Sequence, residues 1–508
     1  MQSSVLTVAY RGIETLDVSV QVHMSNGLPA MAIVGLADKA VAESKERVRA
    51  ALSSLGLALP AKRIAVNLSP ADLLKEGAHF DLPIAMGLLT AMGVLPSDCL
   101  NEHVLLGELA LDGSVRRVAG ILPAALHAKG SGRHLVCPAE NGSEAAWAGD
   151  LTILSLENLT QLINHLRGNQ LLSAPVARAE AISETGPDLR DLKGQETARR
   201  ALEIAAAGGH NLLMVGPPGA GKSMLAARLP SLLPPLSAVE ALQATMIHSV
   251  AGSLPPSGLI QQRPFRDPHH SASMASLVGG GQKAWPGEVS LAHTGVLFLD
   301  ELAEFSRPAL DSLRQPLETG DIVIARANHH VRYPARFQLI AAMNPCRCGY
   351  LSDPGRACSR APRCAQDYMA RISGPILDRF DILLDVAELR PADLLSEERS
   401  ESTAEVRSRI LASREFAATR SGGLPKVLNA HLEAKSLNKE LSDNAEIRTL
   451  YTEALEKQAL SARGFHKSIR VARTIADLAA SPNITRHHVL EALSYRLFFC
   501  LVPIMANV

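Results

Sequence analysis

The sequence predicts an α/β multidomain protein with an amino-terminal α+β domain, a central core on a parallel sheet, and a carboxy-terminal helical lid. Three observations predict it. A short apolar strand, Leu212 to Val215, runs directly into a glycine-rich turn and a helix. A second apolar strand, some eighty residues on, ends in two adjacent carboxylates, and beyond Pro391 apolar residues recur with helical period. At 508 residues the chain is too long for one core, because domains run to about 100–200 residues.

Residues 1–165 make the first domain. Val18, Val20 and Val22 alternate with polar residues, as do Ile64, Val66 and Leu68, which is the period of a half-buried strand. Asp38 to Leu52 has helical character, the second strand leads into an apolar helix from about Asp81 to Leu95, and Gly107 to Gly113 reads as a hairpin turning at Asp112-Gly113. The apolar stretch Leu82 to Leu95 is too short to span a bilayer, and the opening MQSSVLTVAYRG lacks a secretion signal's charged and apolar regions. A cytoplasmic protein with no membrane partner is expected. Residues 166–188, polar and rich in small side chains, read as a linker.

Residues 189–388 make the core. Gly216-Pro217-Pro218-Gly219-Ala220-Gly221-Lys222-Ser223 matches G-x-x-x-x-G-K-[ST] at every fixed position, with Met224 starting the next helix. Glycines let successive backbone N–H groups converge on phosphate oxygens, and the helix turns its positive end toward the same anion. Lys222 would reach the β- and γ-phosphates of ATP and Ser223 would hold Mg²⁺. Gly295 to Glu301 is the acid-tipped strand, in which Asp300 would join the Mg²⁺ shell and Glu301 would polarise the attacking water. Acidic residues follow many strands, but that does not explain the pairing with a phosphate loop.

Four of the seven cysteines, Cys346, Cys348, Cys358 and Cys364, fall in one loop, 346–364. In a reducing compartment this favours a structural Zn²⁺ site over disulfides. The spacing departs from paired C-x-x-C knuckles, and reduced free thiols are the alternative. Lys+Arg and Asp+Glu balance at 51 each, so the composition excludes a broadly basic nucleic-acid binder, and any such contact must be local.

Two resemblances add to this. The element order of the first domain, with GELALDGSVRRVAG and LVCPAEN, resembles the proteolytic domain of Lon-type proteases, which use a Ser–Lys dyad. Where that family places its serine, this chain has Gly77-Ala78-His79-Phe80-Asp81; where it places its lysine, Ala119-Gly120-Ile121-Leu122. The resemblance implies a degenerate Lon-like domain kept for assembly or partner binding. An unrelated site built on His79 and Asp81 competes with a plain helix cap.

The phrases RPFRDPHH, PGEVSLAHTGVLFLDELAEF, LRQPLETG, RYPARFQLIAAMNPC, ISGPILDRFDI and VARTIADL resemble the ComM/YifB family of Mg-chelatase-like AAA+ ATPases along essentially the whole chain. The resemblance implies a ring, a homo-hexamer, that drives DNA branch migration as a helicase in natural transformation, acting on single-stranded and branched DNA alongside recombination proteins. It also implies roles. Asn344, ending a third strand, would contact the γ-phosphate and the water; Arg379 would be an arginine finger acting on a neighbour, unless it only pairs with Asp378 or Asp381. In the helical lid, residues 389–508, Arg463 would touch the γ-phosphate in cis, with Arg470 and Arg473 as alternates. Lys283, in the segment after the phosphate-loop helix, and Arg326, His329, His330 and Arg332, on a hairpin, would face the channel and meet DNA phosphates without reading bases. The competing readings are a solvated basic hairpin and, for the whole chain, a chelatase-like ATPase that remodels a protein partner. The missing Ser and Lys argue against an ATP-dependent protease.

Overall fold

The computed structural model describes residues 1–178, 186–281, 284–326, 329–351, 355–356, 359–389, 400–420, 427–433, 445–456 and 460–500, excepting the side chains of Arg326, His329 and 497–500. It is mixed α/β throughout, with two principal sheets.

The amino-terminal sheet contains β1 (Gln2–Arg11), β2 (Glu14–Ser25), β3 (Ala30–Val34), β4 (Arg63–Ser69), β5 (His103–Leu105), and, past the small hairpin of β6 (Glu108–Leu109) and β7 (Val115–Arg116), β8 (His134–Pro138) and β9 (Ile153–Leu156). Their order is β3-β4-β2-β1-β5-β8-β9, antiparallel at β4-β2-β1 and parallel on both flanks. The expected alternation is realised: Val18, Val20 and Val22 on β2 and Ile64, Val66 and Leu68 on β4 are buried. They pack with the apolar helix Asp81–Ala91, whose residues are buried nearly all round. Asp38 caps the helix Lys39–Ser54 by accepting from Val41 N.

The second sheet holds β10 (Leu212–Val215), β11 (Phe265–Arg266), β14 (Val296–Leu299), β17 (Gln338–Met343) and β18 (Ile382–Asp385), ordered β11-β14-β17-β10-β18 and wholly parallel. Both faces are covered, as a parallel sheet requires. Leu212 and Met214 turn toward the helix Glu196–Gly208 and the carboxy-terminal helices, whereas Leu213 and Val215 turn toward the opposite layer. Two hairpins project from this core: β12 (Gly279–Gly280) with β13 (Trp285–Pro286), and β15 (Asp321–Arg326) with β16 (His329–Pro334). The carboxy-terminal region is helical, with helices Thr403–Arg420, Ala445–Glu456, Ala462–Leu478 and Arg486–Cys500. Among the described residues no helix is long and apolar enough to cross a membrane.

The two parts share polar contacts. Buried Glu144 accepts from Ser249 Oγ at 2.5 Å, from Asn141 Nδ2 and from Leu122 N, while Ser249 O accepts from Gly120 N at 3.0 Å. Ser249 belongs to the helix Ala238–Val250 of the core, so this carboxylate ties that helix to the amino-terminal sheet domain. Burial pushes its pKa up, against these three donors. Ile13, at the β1–β2 turn, packs against the apolar cluster that includes Ile322, Ile324, Val331 and Tyr333 of the second hairpin, and the adjoining Gly12 lies against Val331 and Tyr333.

Candidate nucleotide site

Parallel strands deliver their carboxyl ends to one edge, and the loops following β10, β14 and β17 meet there. Gly219 and Gly221 have φ of +78° and +84°, conformations that side chains resist, and Lys222 begins the helix Lys222–Leu232. Lys222 is buried, and its Nζ donates to the Gly216 and Pro217 carbonyls at 2.8 Å each and to Asn344 Oδ1 at 3.2 Å. Burial lowers its pKa, opposed by Asp300. Ser223 Oγ donates to Asp300 Oδ2 at 2.7 Å, and Glu301 N donates to Asp300 Oδ1 at 2.9 Å. The expected residues Lys222, Ser223, Asp300, Glu301 and Asn344 thus share one edge.

Beside it, Gln195 Nε2 bridges the Ala220 and Ala387 carbonyls at 3.2 and 2.7 Å, on the wall of a cleft also lined by Lys193, Gly194 and Glu388. The hydroxyl of Ser223 and the carboxylate of Asp300 are hard oxygen donors, the chemistry Mg²⁺ prefers.

Two neighbours were not foreseen. His270 Nδ1 lies 3.0 Å from Glu301 Oε2, and Asp267 has its pKa raised by burial and by Asp300. Both sit in the loop after β11, which pairs with β14, so the sheet brings them to the acidic strand end. The signal was available in the RPFRDPHH phrase.

The arginines lie elsewhere. Arg379 precedes β18 at the amino ends of the strands: Asn211, entering β10, donates through Nδ2 to Arg379 O at 3.0 Å. One four-residue strand, about 13 Å at 3.3 Å per residue, separates that edge from the phosphate loop. Arg379 pairs with Glu318, not with Asp378 or Asp381; Asp381 is held by Lys467 at 3.0 Å. Arg463 Nη1 lies 3.2 Å from Asp378 Oδ2, and with Arg314, Glu318 and Arg379 it lines one pocket. The cis role expected of Arg463 is therefore not what the fold presents. Its helix delivers it to the edge that carries Arg379, away from its own phosphate loop. Of the alternates, Arg473 is buried on Asp477, and Arg470, half-buried, donates through Nε to Leu432 O.

His79 and Asp81 form no hydrolytic pair. His79 bonds Val8 O at 2.9 Å between Tyr10 and Phe80, and Asp81, fully buried, is gripped by Arg47 and by Leu109 N. On the hairpin, Arg332 donates to Asp321 Oδ2 at 2.5 Å yet stays exposed, as does His330. Lys283 lies outside the described residues, as do the side chains of Arg326 and His329. Tyr333 Oη donates to Ala284 O at 3.1 Å, so the hairpin holds the residue adjoining Lys283. Cys346, Cys348 and Cys364 cluster with all three sulfurs within 4.8 Å of one another, and Cys358 lies outside the described residues.

Comparison with known proteins gives the family. "Magnesium chelatase, subunit ChlI" matches residues 188–394, "Subunit ChlI of Mg-chelatase" residues 20–141, and "Magnesium chelatase, subunit ChlI C-terminal" residues 400–496. The chain is 43% identical over 505 residues to "Competence protein ComM" of Haemophilus influenzae, covering 98% of each. It belongs to the ComM/YifB family of Mg-chelatase-like AAA+ ATPases. Within that family it is 44% identical over 492 residues to "Uncharacterized protein YifB" of Salmonella typhimurium, covering 96% of each. The "Magnesium-chelatase 38 kDa subunit" of Rhodobacter capsulatus is 31% identical over 169 residues, 30% of this chain and 48% of that one. The likeness to ComM and YifB runs through nearly the whole chain, that to the 38 kDa subunit through 30% of it.

Proposed function

We propose that this chain is the subunit of a ring-forming AAA+ motor that hydrolyses ATP to move DNA strands, promoting branch migration in recombination during natural transformation. The observation that carries the ring is the separation of its parts. Lys222, Ser223, Asp300, Glu301 and Asn344 share one strand edge, and Arg379 and Arg463 share the other. An arginine a strand length from its own phosphate loop is out of reach of its own γ-phosphate and free to serve a neighbour's, so head-to-tail closure, in a homo-hexamer, would complete each site. Arg463 then acts in trans beside Arg379.

In the mechanism, Lys222 binds the β- and γ-phosphates, Asn344 fixes Lys222 and the attacking water, and Glu301 takes up the proton of that water. Mg²⁺, held by Ser223 and Asp300, supplies charge neutralisation at the phosphates when bound. Output passes through the two projecting hairpins, whose Lys283, Arg326, His329, His330 and Arg332 face DNA phosphates. The Tyr333 to Ala284 bond makes the hairpins one unit. The amino-terminal sheet is a Lon-like fold without protease chemistry, docked on that unit, and the carboxy-terminal helices are the nucleotide lid. This motor works in the cytoplasm.

The test is ATP turnover with and without single-stranded and forked DNA, together with displacement of a labelled strand. Stimulation by either DNA with ATP-dependent displacement is expected. Turnover indifferent to DNA, with no displacement, overturns the DNA reading and leaves a chelatase-like motor acting on a protein.

A further inference from the structure

Among its described residues, the segment between β17 and the helix Arg363–Met369 has little apolar core of its own. Among the described residues, Cys346 and Ala365 of the adjoining helix form a small apolar cluster, with Cys348, Leu351, Cys364 and Met369 packed around them. A stretch with so few apolar contacts needs another source of order, and a bound metal is the usual one. The three sulfurs supply the ligands. Cys346 Sγ and Cys348 Sγ are 3.0 Å apart, well beyond a disulfide bond, and Cys364 Sγ lies within 4.8 Å of both. Tetrahedral zinc–thiolate bonds of about 2.3 Å set sulfurs about 3.8 Å apart, so small side-chain shifts would seat an ion.

The cluster also touches the nucleotide loop at two places. Asn344, which holds Lys222, is two residues before Cys346. Gly349, following Cys348, lies flat on Pro218: a Cβ there would stand 2.6 Å from Pro218 Cδ. Gly349 N donates to Cys346 O at 3.0 Å, closing the turn that presents it.

We propose that Cys346, Cys348 and Cys364 bind a zinc ion, and that the metal presses the turn Cys346–Gly349 onto Pro218, so that its occupancy sets nucleotide affinity. Three thiolates leave the fourth position to water or a further side chain. The coupling rests on the ATP-site reading above; the metal site does not.

The experiment uses the full chain from zinc-supplemented cells. Elemental analysis should find about one zinc per chain. Cys346→Ser and Cys364→Ser should lose it while Cys99→Ser keeps it. Binding of a fluorescent ATP analogue, measured on native, chelator-stripped and zinc-restored protein, should weaken at least about tenfold on stripping and recover on restoration. The stripped protein serves if the serine variants do not fold. Zinc well under one per chain, or a visible iron–sulfur chromophore, overturns the metal site. Stoichiometric zinc whose removal leaves analogue affinity unchanged overturns the coupling, and native protein that binds no analogue overturns it together with the ATP-site reading while the zinc content still decides the metal.

Discussion

Two carboxylate centres in this chain look alike in sequence and differ in space. Asp81, at the start of a helix in the amino-terminal domain, is fully buried, with Arg47 Nε at 2.6 Å, Arg47 Nη2 at 3.0 Å and Leu109 N at 3.1 Å. Asp300 and Glu301, at the end of β14, accept only from Ser223, from the backbone of Glu301 and from His270 among the described contacts, and Glu301 is 53% exposed. A carboxylate saturated by its own domain holds structure, whereas one left partly open beside a buried lysine waits for a ligand. The closed centre is complete within one subunit; the open one, in the proposed ring, would be completed by ATP and by a neighbour's arginine.

The sharpest way to break the comparison is to take away the neighbour. Arg379→Ala should lower ATP turnover about 10³-fold or more. Lys222→Ala should be inactive by losing nucleotide. An equal mixture should recover about a quarter of wild-type turnover, because one neighbouring pair in four joins an intact loop to an intact arginine. No recovery in mixed rings would place Arg379 in its own subunit's chemistry and merge the two edges.

The open centre was legible because its residues are contiguous in sequence or end strands that any parallel sheet must align. Gly216–Ser223 is a backbone motif, and Asp300 and Asn344 sit one residue beyond apolar runs. The closed centre was half legible. The missing Ser and Lys excluded a dyad, but nothing in the sequence announced that Arg47 would reach Asp81, 34 residues away. Arg463 was misplaced for the same reason, since its partner Asp378 is 85 residues distant and only the packed helix decides which edge it meets. Of the fold, the alternating strands of β2 and β4 and the helical tail followed from periodicity. The docking of Ile13 on the hairpin did not, because interdomain packing leaves no period to read.

A second contrast exchanges stability for activity. Glu301→Gln keeps the shape but removes the base, so turnover should fall about 10²-fold or more while ATP binding and the melting temperature hold. Arg47→Ala should do the reverse. It strands the buried Asp81 carboxylate, at a cost of about 3–5 kcal/mol, visible as a lower melting transition, with ATP turnover within about twofold of wild type while the domain stays folded. If Arg47→Ala melts normally, Asp81 is not the anchor its contacts describe. If Glu301→Gln turns over normally, another group is the base.

The smallest effect tests how open the open centre is. His270 Nδ1, 3.0 Å from Glu301 Oε2, occupies part of the carboxylate that would accept a proton from water. A hydrogen bond of this kind is worth about 0.5–1.5 kcal/mol, which converts to about two- to tenfold in rate. His270→Ala should therefore raise DNA-free turnover by that factor with KM for ATP unchanged, since the imidazole meets the base and not Lys222 or Ser223. His270→Asn, which keeps a donor, should restore the lower rate. The loop carrying His270 continues through the helix Met274–Val278 into β12, the strand leading to Lys283. In the proposed motor, displacement of that tip by DNA would be a mechanical route to the same release, and His270→Ala should blunt the DNA stimulation as it raises the baseline. A fall in turnover instead would mean that His270 holds Glu301 in its working orientation, and the site would be more closed than its exposure suggests.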